Sequence, residues 1–393
     1  MANTNKINLA DLERIAREQV LPALDNQISK EPSPLLEKIS KPTLTSSKID
    51  VITTVGINGG FGFGAETKGI PESGGQMYER FSLPTVDMYG TIEISAKALQ
   101  LGVGDKGVDL LLNEVQGIKD SAVWNIGRSL FGNGKGVLCN VSALSSAGNT
   151  ITVDSVKHLK EGMKVDFYAA NAAVGSTPAH TGKRILGIDR KNKKITIDGS
   201  AITVAAGFIT VQNSYGREIF GLGAFFDPSI TSIYGVTKSG NNWLIPEEYD
   251  ATGGITDTLI SEAVYEAQEY RNSKTDMILC GKTAYNAYVE YMKESKTQIT
   301  DTQEFWGGVS GLNIVADGRK VVLVREQHVA DNEMIGVDTT KLKFYKTPSD
   351  FISKDGGVFE RVGNSTVFQA VLGFFGNLIC ENPGGLFKIN NIS

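Results

Sequence analysis

The sequence predicts an α+β protein built around one long helix and interrupted by a small all-β module. Three observations predict it. Val108, Leu111, Leu112, Val115, Ile118, Ala122, Ile126 and Leu130 recur every three or four residues, the period of an amphipathic helix. Between residues 150 and 212 five short segments instead alternate apolar with polar residues, the period of half-buried strands. After Tyr215, strand-like and helix-like patterns succeed one another. A chain of 393 residues is too long for one small core, and a prior of roughly 100–200 residues per domain gives two or three.

The first segment, residues 7–24, places Leu9, Leu12, Ile15, Ala16 and Val20 at helical spacing, with Asn8 as N-cap. From Lys30 to Pro42, the prolines Pro32, Pro34 and Pro42 predict an extended tether with at most a short helix from Leu35 to Ile39. This N-terminal part has too little apolar surface to fold alone. It is expected to act as an arm whose partners lie elsewhere.

Ile49, Val51, Ile52 and Val55 read as a strand, and Met77 to Leu83 as a return strand ended by Pro84. Eight glycines fall between Gly56 and Gly75, interrupted by Phe61 and Phe63. The expectation is a long hairpin with a flexible tip. Two strands are not stable by themselves, so the hairpin must lie on something.

Ile92 and Ile94 alternate with polar neighbours, a further half-buried strand. The long helix follows the Gly102-Val103-Gly104-Asp105 turn and is ended by Gly132-Asn133-Gly134. About 25 residues at 1.5 Å each span roughly 38 Å. One apolar stripe with polar flanks suits a helix lying across the back of a sheet.

The β-rich stretch has strand signals at Ile151/Val153, Met163/Val165/Phe167, Leu186/Ile188, Ile195/Ile197 and Ile209/Val211. Turn signals at Lys160-Glu161-Gly162, Asn192-Lys193-Lys194 and Asp198-Gly199 separate them. Such spacing predicts a small antiparallel barrel or sandwich, read as a module inserted into the surrounding fold. Farther on, Leu259, Ile260, Ala263, Val264, Ala267 and Tyr270 form one helix face. Tyr285, Tyr288, Tyr291 and Met292 form another. Met277 to Leu279, Val321 to Val324, Met334 to Val337, Leu342 to Tyr345 and Val367 to Leu372 read as strands.

Composition narrows the function. The net charge of −5 and the lack of a long basic run argue against gripping duplex DNA, which rests on lysine and arginine at phosphates. Three widely spaced cysteines, Cys139, Cys280 and Cys380, imply neither a disulfide framework nor a zinc knuckle, and suit a reducing compartment. Cys280 and Cys380 follow apolar strand-like runs and read as buried structural thiols. No signal peptide is evident at Met1-Ala2-Asn3-Thr4, and no run of about 18 apolar residues predicts a membrane span. The expected compartment is cytoplasm.

No motif predicts catalysis, a metal or a cofactor. His158, His180 and His328 lie apart in polar segments and read as surface histidines. Gly60-Phe61-Gly62-Phe63-Gly64 is glycine-rich like a phosphate loop. It lacks the GK[ST] ending, and no helix follows it directly. The better reading is a mobile hairpin tip with two aromatic anchors. Glu247-Glu248-Tyr249-Asp250 holds three acids. Paired carboxylates can do glycosidase chemistry, but adjacent acids after Pro246 predict a solvated turn. Arg190-Lys191-Asn192-Lys193-Lys194 is the strongest basic cluster and reads as a solvated hairpin turn.

The order of parts carries more than any motif. An N-terminal arm, a long hairpin, a long helix and a mixed α+β region resemble the major capsid proteins of tailed phages, the Hong Kong 97 type of fold. Ser214-Tyr215-Gly216-Arg217-Glu218-Ile219-Phe220-Gly221-Leu222 and Phe225-Phe226-Asp227 resemble the segment returning from the spine helix toward the central domain. Asn242-Trp243-Leu244-Ile245-Pro246 and Phe374-Phe375-Gly376-Asn377-Leu378-Ile379-Cys380-Glu381-Asn382-Pro383 are similar too. The resemblance covers nearly the whole chain apart from 150–212.

It implies an N-arm at 1–42, an extended loop at 43–88 and a peripheral domain with its spine helix at 89–149. An inserted domain at 150–212, an axial domain at 213–340 and a return to the peripheral domain at 341–393 complete the division. It implies a non-enzymatic subunit without cofactors that self-assembles, as hexamers and pentamers, into an icosahedral virion shell around double-stranded DNA. Assembly would take place in host cytoplasm, away from membrane. Scaffold and portal proteins, with decoration proteins as an optional addition, are the implied partners. No long coiled-coil leader precedes the arm, so a scaffold is expected to be separate or cleaved off. The inter-subunit contacts are expected at Gly60, Phe61, Gly62, Phe63 and Lys68 in the hairpin and Leu9, Leu12 and Ile15 in the arm. Lys68 is the hairpin's one lysine that could crosslink as in some relatives, and no crosslink is predicted. An encapsulin-like bacterial compartment and a tail or surface-layer protein are the alternative structural readings.

Overall fold

A computed structural model describes residues 33–64, 69, 71–95, 105–143, 147–295, 302–305, 309–348, 350–352, 358–363 and 365–393. The predicted helix over 7–24, with Leu9, Leu12 and Ile15, lies outside the described residues, as does Lys68. The chain divides into two compact units. One comprises residues 1–127 and 225–393, the other Arg128–Ala224.

The first described element of the larger unit is helix α1, Pro34–Lys38. Its N-cap Ser33 accepts a hydrogen bond from the Leu35 amide and donates one to Glu326 Oε2 at 2.6 Å. Leu35 and Leu36 are fully buried. Beyond α1, Leu44 N donates to Lys346 O at 2.9 Å. Residues 33–44 thus find their partners on this chain, where the proline-rich composition predicts partners elsewhere.

Strands β1 (Lys48–Val55) and β2 (Met77–Pro84) form the expected hairpin, and β3 (Val86–Ser95) follows. Helix α2 runs from Asp105 to Ser129, 25 residues. It lies across β3: a Cβ on Gly90 would come within 2.6 Å of Ile118 Cγ2. Only glycine lets helix and strand approach so closely there.

The smaller unit holds β4 (Val137–Val141), β5 (Thr150–Thr152), β6 (Lys164–Ala169), β7 (His180–Asp189), β8 (Lys194–Ile197) and β9 (Gly207–Val211). They form one antiparallel sheet in the order β4-β9-β6-β7-β8-β5. Its core gathers Ile151, Val165, Phe167, Ile185, Ile195, Ile197 and Ile209. Pairing of β4 with β9 brings in residues ahead of position 150. The cue for β4 is weak, because Leu138 and Cys139 are adjacent buried residues and break strict alternation. Fully buried Asp166 accepts from Thr181 Oγ1, Gly182 N and Asn213 N, each at 2.8 Å, and so ties β6 to β7 and to the turn after β9. The returning segment lies along the end of α2. Leu222 N donates to Leu130 O at 2.7 Å, and buried Arg128 makes a bidentate pair with Glu218 at 2.9 and 2.5 Å.

The larger unit resumes with a tight ladder, β10 (Ser232–Ile233) and β11 (Val236–Thr237), turning through Tyr234 and Gly235, both at positive φ. Then come β12 (Glu247–Asp250), α3 (Asp257–Arg271), β13 (Met277–Cys280) and α4 (Lys282–Glu294). Strands β14 (Thr302–Phe305), β15 (Val309–Ala316), β16 (Arg319–Arg325) and β17 (Met334–Val337) follow. The last are β18 (Leu342–Lys346), β19 (Asp350–Ile352), β20 (Glu360–Arg361), β21 (Val367–Cys380) and β22 (Phe387–Asn390).

A seven-stranded mixed sheet runs β12-β22-β17-β13-β16-β15-β14. The predicted apolar faces of α3 and α4 cover it through Ile260, Ala263, Val264, Ala284, Tyr288 and Met292. A five-stranded sheet is organised on the 14-residue β21, which pairs with β3 and with β18, β19 and β20.

Two expectations are corrected. Residues 247–250 are an edge strand paired in parallel with β22, not a loop turn. Its three acids are all exposed, Glu247 on the Tyr249 face and Glu248 and Asp250 on the other, which suits an exposed edge. His328 is buried, 3% exposed, with its ring 4.8 Å from that of Trp124. Its polar sequence neighbours hide this because Glu326 and Gln327 turn back to hydrogen-bond it.

Candidate assembly surface

The hairpin's alternation decides what it offers. Lys48 pairs with Pro84 and Val55 with Met77, in unbroken antiparallel register. Ile49, Phe81 and Leu83 therefore face inward and are buried. Phe81 stacks on Trp243, ring centres 5.9 Å apart, and lies 5.2 Å from Tyr234.

Tyr234 is the clasp of this base. Its carbonyl accepts from Ser82 N at 3.0 Å. Its hydroxyl accepts from Cys380 N at 2.9 Å and contacts Leu378 O at 3.3 Å. Burial pushes its phenol well above the ordinary range. Thr53 Oγ1 adds a bond to Glu381 O at 2.7 Å. The hairpin thus rests on β21, through contacts made by residues some 150 to 330 positions away.

The outward face is different. Ile52 and Tyr78 on it are each about two-thirds exposed, as is Met77 at the tip end of the inward face. Arg80 reaches Asp50 at 2.9 Å, a fully solvated pair that adds little stability. Hydrogen bonds from Arg80 and Ser82 hold the Asp50 carboxyl below its usual value.

Toward the tip the two arms come together at Gly60 and Gly74. A Cβ on Gly74 would lie 2.5 Å from Gly60 N, so neither position admits a side chain without shifting backbone. Asn58 Oδ1 accepts from Gly60 N at 2.8 Å, and Gln76 Nε2 donates to Gly56 O at 3.0 Å. Phe61 and Phe63 meet edge to face at 5.9 Å, yet they are 84% and 98% exposed. Ile57 is 91% exposed. Among the described residues these three large apolar side chains on one segment stand exposed to water.

The sequence singles out Phe61 and Phe63 but not Ile57, Ile52, Tyr78 or the clasp residue Tyr234. For Ile52 a signal exists: it falls out of parity with Ile49, Val51 and Val55, so it must point outward. Tyr234 carries none, since its role depends on β21.

The chemistry-bearing residues do not converge. Among the described residues no group of His, Cys, Asp and Glu is placed to hold a metal. All three thiols are buried, and burial pushes Cys139 and Cys380 up to about 12. His180 is partly exposed and meets Thr203 O at 2.9 Å. The glycine-rich segment runs into strand β2 instead of a helix. Residues 190–193 form the β7–β8 turn, where Asp189 accepts from the Lys191 and Asn192 amides. Among the described residues no helix is long and apolar enough to cross a membrane.

No protein-family model and no curated protein matches the sequence. Solved structures match its fold. The chain is similar to the capsid protein in the asymmetric unit of cyanophage A-1(L), with a TM-score of 0.56 at 11% identity, over 91% of this chain and 92% of that one. The capsid of an empty GTA particle gives 0.47 at 11% identity, over 92% and 90%. A holo-encapsulin complex from Synechococcus elongatus gives 0.46 at 8% identity, over 90% and 85%. With the hairpin, the long helix, the two sheets and the first of these likenesses together, the chain carries the phage capsid fold of the Hong Kong 97 type.

Proposed function

We propose that this chain is the structural subunit of a closed icosahedral shell that encloses double-stranded DNA, the major capsid protein of a tailed phage. The observation that carries this reading is the hairpin: its base is locked into the subunit while Ile57, Phe61 and Phe63 stand in water. In a shell such a segment buries its apolar surface against another copy. A specific interface removes on the order of 1,200–2,000 Å² from water. In a closed shell one surface meets non-equivalent neighbours, and glycines let a tip bend to each. The subunit's work is contact, not catalysis.

In this reading 1–42 is the N-arm and 43–88 the extended loop. Residues 89–149 and 341–393 make the peripheral domain, 213–340 the axial domain and 150–212 the core of the inserted domain. Leu9, Leu12 and Ile15 in the arm, and Lys68 with the glycines of the tip, join the contact set. Assembly in host cytoplasm with a scaffold and a portal completes the picture.

Negative-stain electron microscopy of the expressed protein tests it. Closed shells of uniform diameter are expected. Tubes, flat sheets or dispersed monomers would overturn it. Shells that copurify with an enzyme cargo in place of DNA would place the chain among encapsulin-like compartments instead.

A further inference from the structure

The net charge of −5 conceals two units of opposite sign. The Arg128–Ala224 unit holds 12 of the 39 Lys and Arg but only 6 of the 44 Asp and Glu, a net +6 that leaves −11 for the rest of the chain. The excess is concentrated on β6, β7 and β8. Lys164 and Arg184 are directly cross-strand. Lys194, Arg190, Lys191 and Lys193 continue the patch along β8 and its turn. All six are exposed and, among the described residues, none makes an ion pair. Two nearby acids are held by hydrogen bonds: Asp198 accepts from Arg184 N, and Asp189, cross-strand from Lys194, from Lys191 N, Asn192 N and the Asn192 side chain. Like charges directly opposite on a sheet are destabilising, so the Lys164–Arg184 pair is a cost in the free subunit. Leu186, 58% exposed on β7, adds an apolar point within the cationic patch.

The larger unit has a counterpart. Glu262, Tyr265, Glu266 and Glu269 follow one stripe of α3, with Glu247 and Tyr249 alongside on edge strand β12. Tyr249 donates to Glu266 at 2.5 Å, and Glu269 beside Tyr265 holds that phenol above its ordinary range. Glu247, Glu262 and Glu269 are exposed and make no ion pair among the described residues.

We propose that the basic face of the Arg128–Ala224 unit docks on the acidic β12–α3 face of a second copy of this chain. The inference rests on the shell reading above. An apolar point inside a charged rim is protein-interface anatomy, which favours a protein over nucleic acid as the partner. Opposed charge also fixes register and speeds encounter.

The test uses the full chain in three forms: K164E/R184E/K194E, E247K/E262K, and both sets combined. Sedimentation velocity at low salt reads copy–copy association whether or not shells close, and microscopy reads shells. Each set alone is expected to weaken association by roughly tenfold or more, and the combination to restore it. Circular dichroism and thermal melts superimposable on the unaltered protein confirm folding. Wild-type association in both single sets, or no recovery in the combination, overturns the docking. So does a basic-face variant that associates normally but loses salt-sensitive retention of a DNA duplex, which would assign the face to nucleic acid. Unaltered protein that associates through these faces yet never closes shells would sink the shell reading and leave the docking standing.

Discussion

At the scale of single residues, stability depends on groups held neutral or clasped in the interior. Tyr234→Phe removes the acceptor for Cys380 N and loosens the hairpin base from β21. A loss of about 1–3 kcal/mol is expected, read as a lower urea midpoint at unchanged m-value. Cys139 and Cys380 stay protonated in the fold to about pH 12, whereas unfolded thiols ionise near pH 9. Above about pH 9 the folded state therefore binds more protons than the unfolded one, and stability falls as pH rises toward 12. Urea midpoints measured across that range should decline steadily, while a thiol reagent near pH 8 should label native protein only as fast as it unfolds. A midpoint that is flat through the alkaline range would contradict the burial of these groups. Buried thiols at Cys280 and Cys380 are legible from their apolar neighbours. Buried His328 is not, because the Trp124 that covers it comes from a helix some 200 residues earlier.

At the scale of elements, periodicity gives the hairpin, α2, α3 and α4 because each has one apolar face that repeats. It does not give β12, β14, β15 or β22. Glu247–Asp250 is a strand only because Phe387–Asn390 lies beside it, and a run of acids holds no trace of that partner. In the shell reading the hairpin separates folding from assembly. Its anchors lie in β1 and β2, and the exposed Phe61 and Phe63 in the tip, so deleting residues 58–75 should leave the subunit folded and unable to close shells. Thermal melts should match the unaltered protein while microscopy shows no closed particles. Normal particles from the deletion would remove the tip from the contact set.

At the scale of the whole molecule, two units with separate cores divide the chain. A fragment spanning Arg128–Ala224 includes β4 and the Arg128–Glu218 pair, and should fold alone with a β-rich circular dichroism spectrum and a cooperative melt. A fragment restricted to 150–212 loses β4 and should melt lower or not cooperatively. An unstructured spectrum from the longer fragment would mean that its sheet needs the rest of the chain. Alternation reveals the module itself, but charge summed over the whole chain cancels the contrast between the units.

Strand β21 carries a consequence in time. It supplies the partner of β3 and the clasp for the hairpin base, yet it lies about 270 residues after β3. Synthesis at ~5–20 residues per second puts a delay of roughly 15–50 s between the emergence of the two strands. Until the ribosome has delivered the later one, the hairpin base lacks its bonds to Cys380 and Glu381, although Tyr234 and Trp243 are already made. In the shell reading proposed above, a chain still being translated is thereby kept out of a growing particle, and each copy becomes competent to join only near the end of its own making.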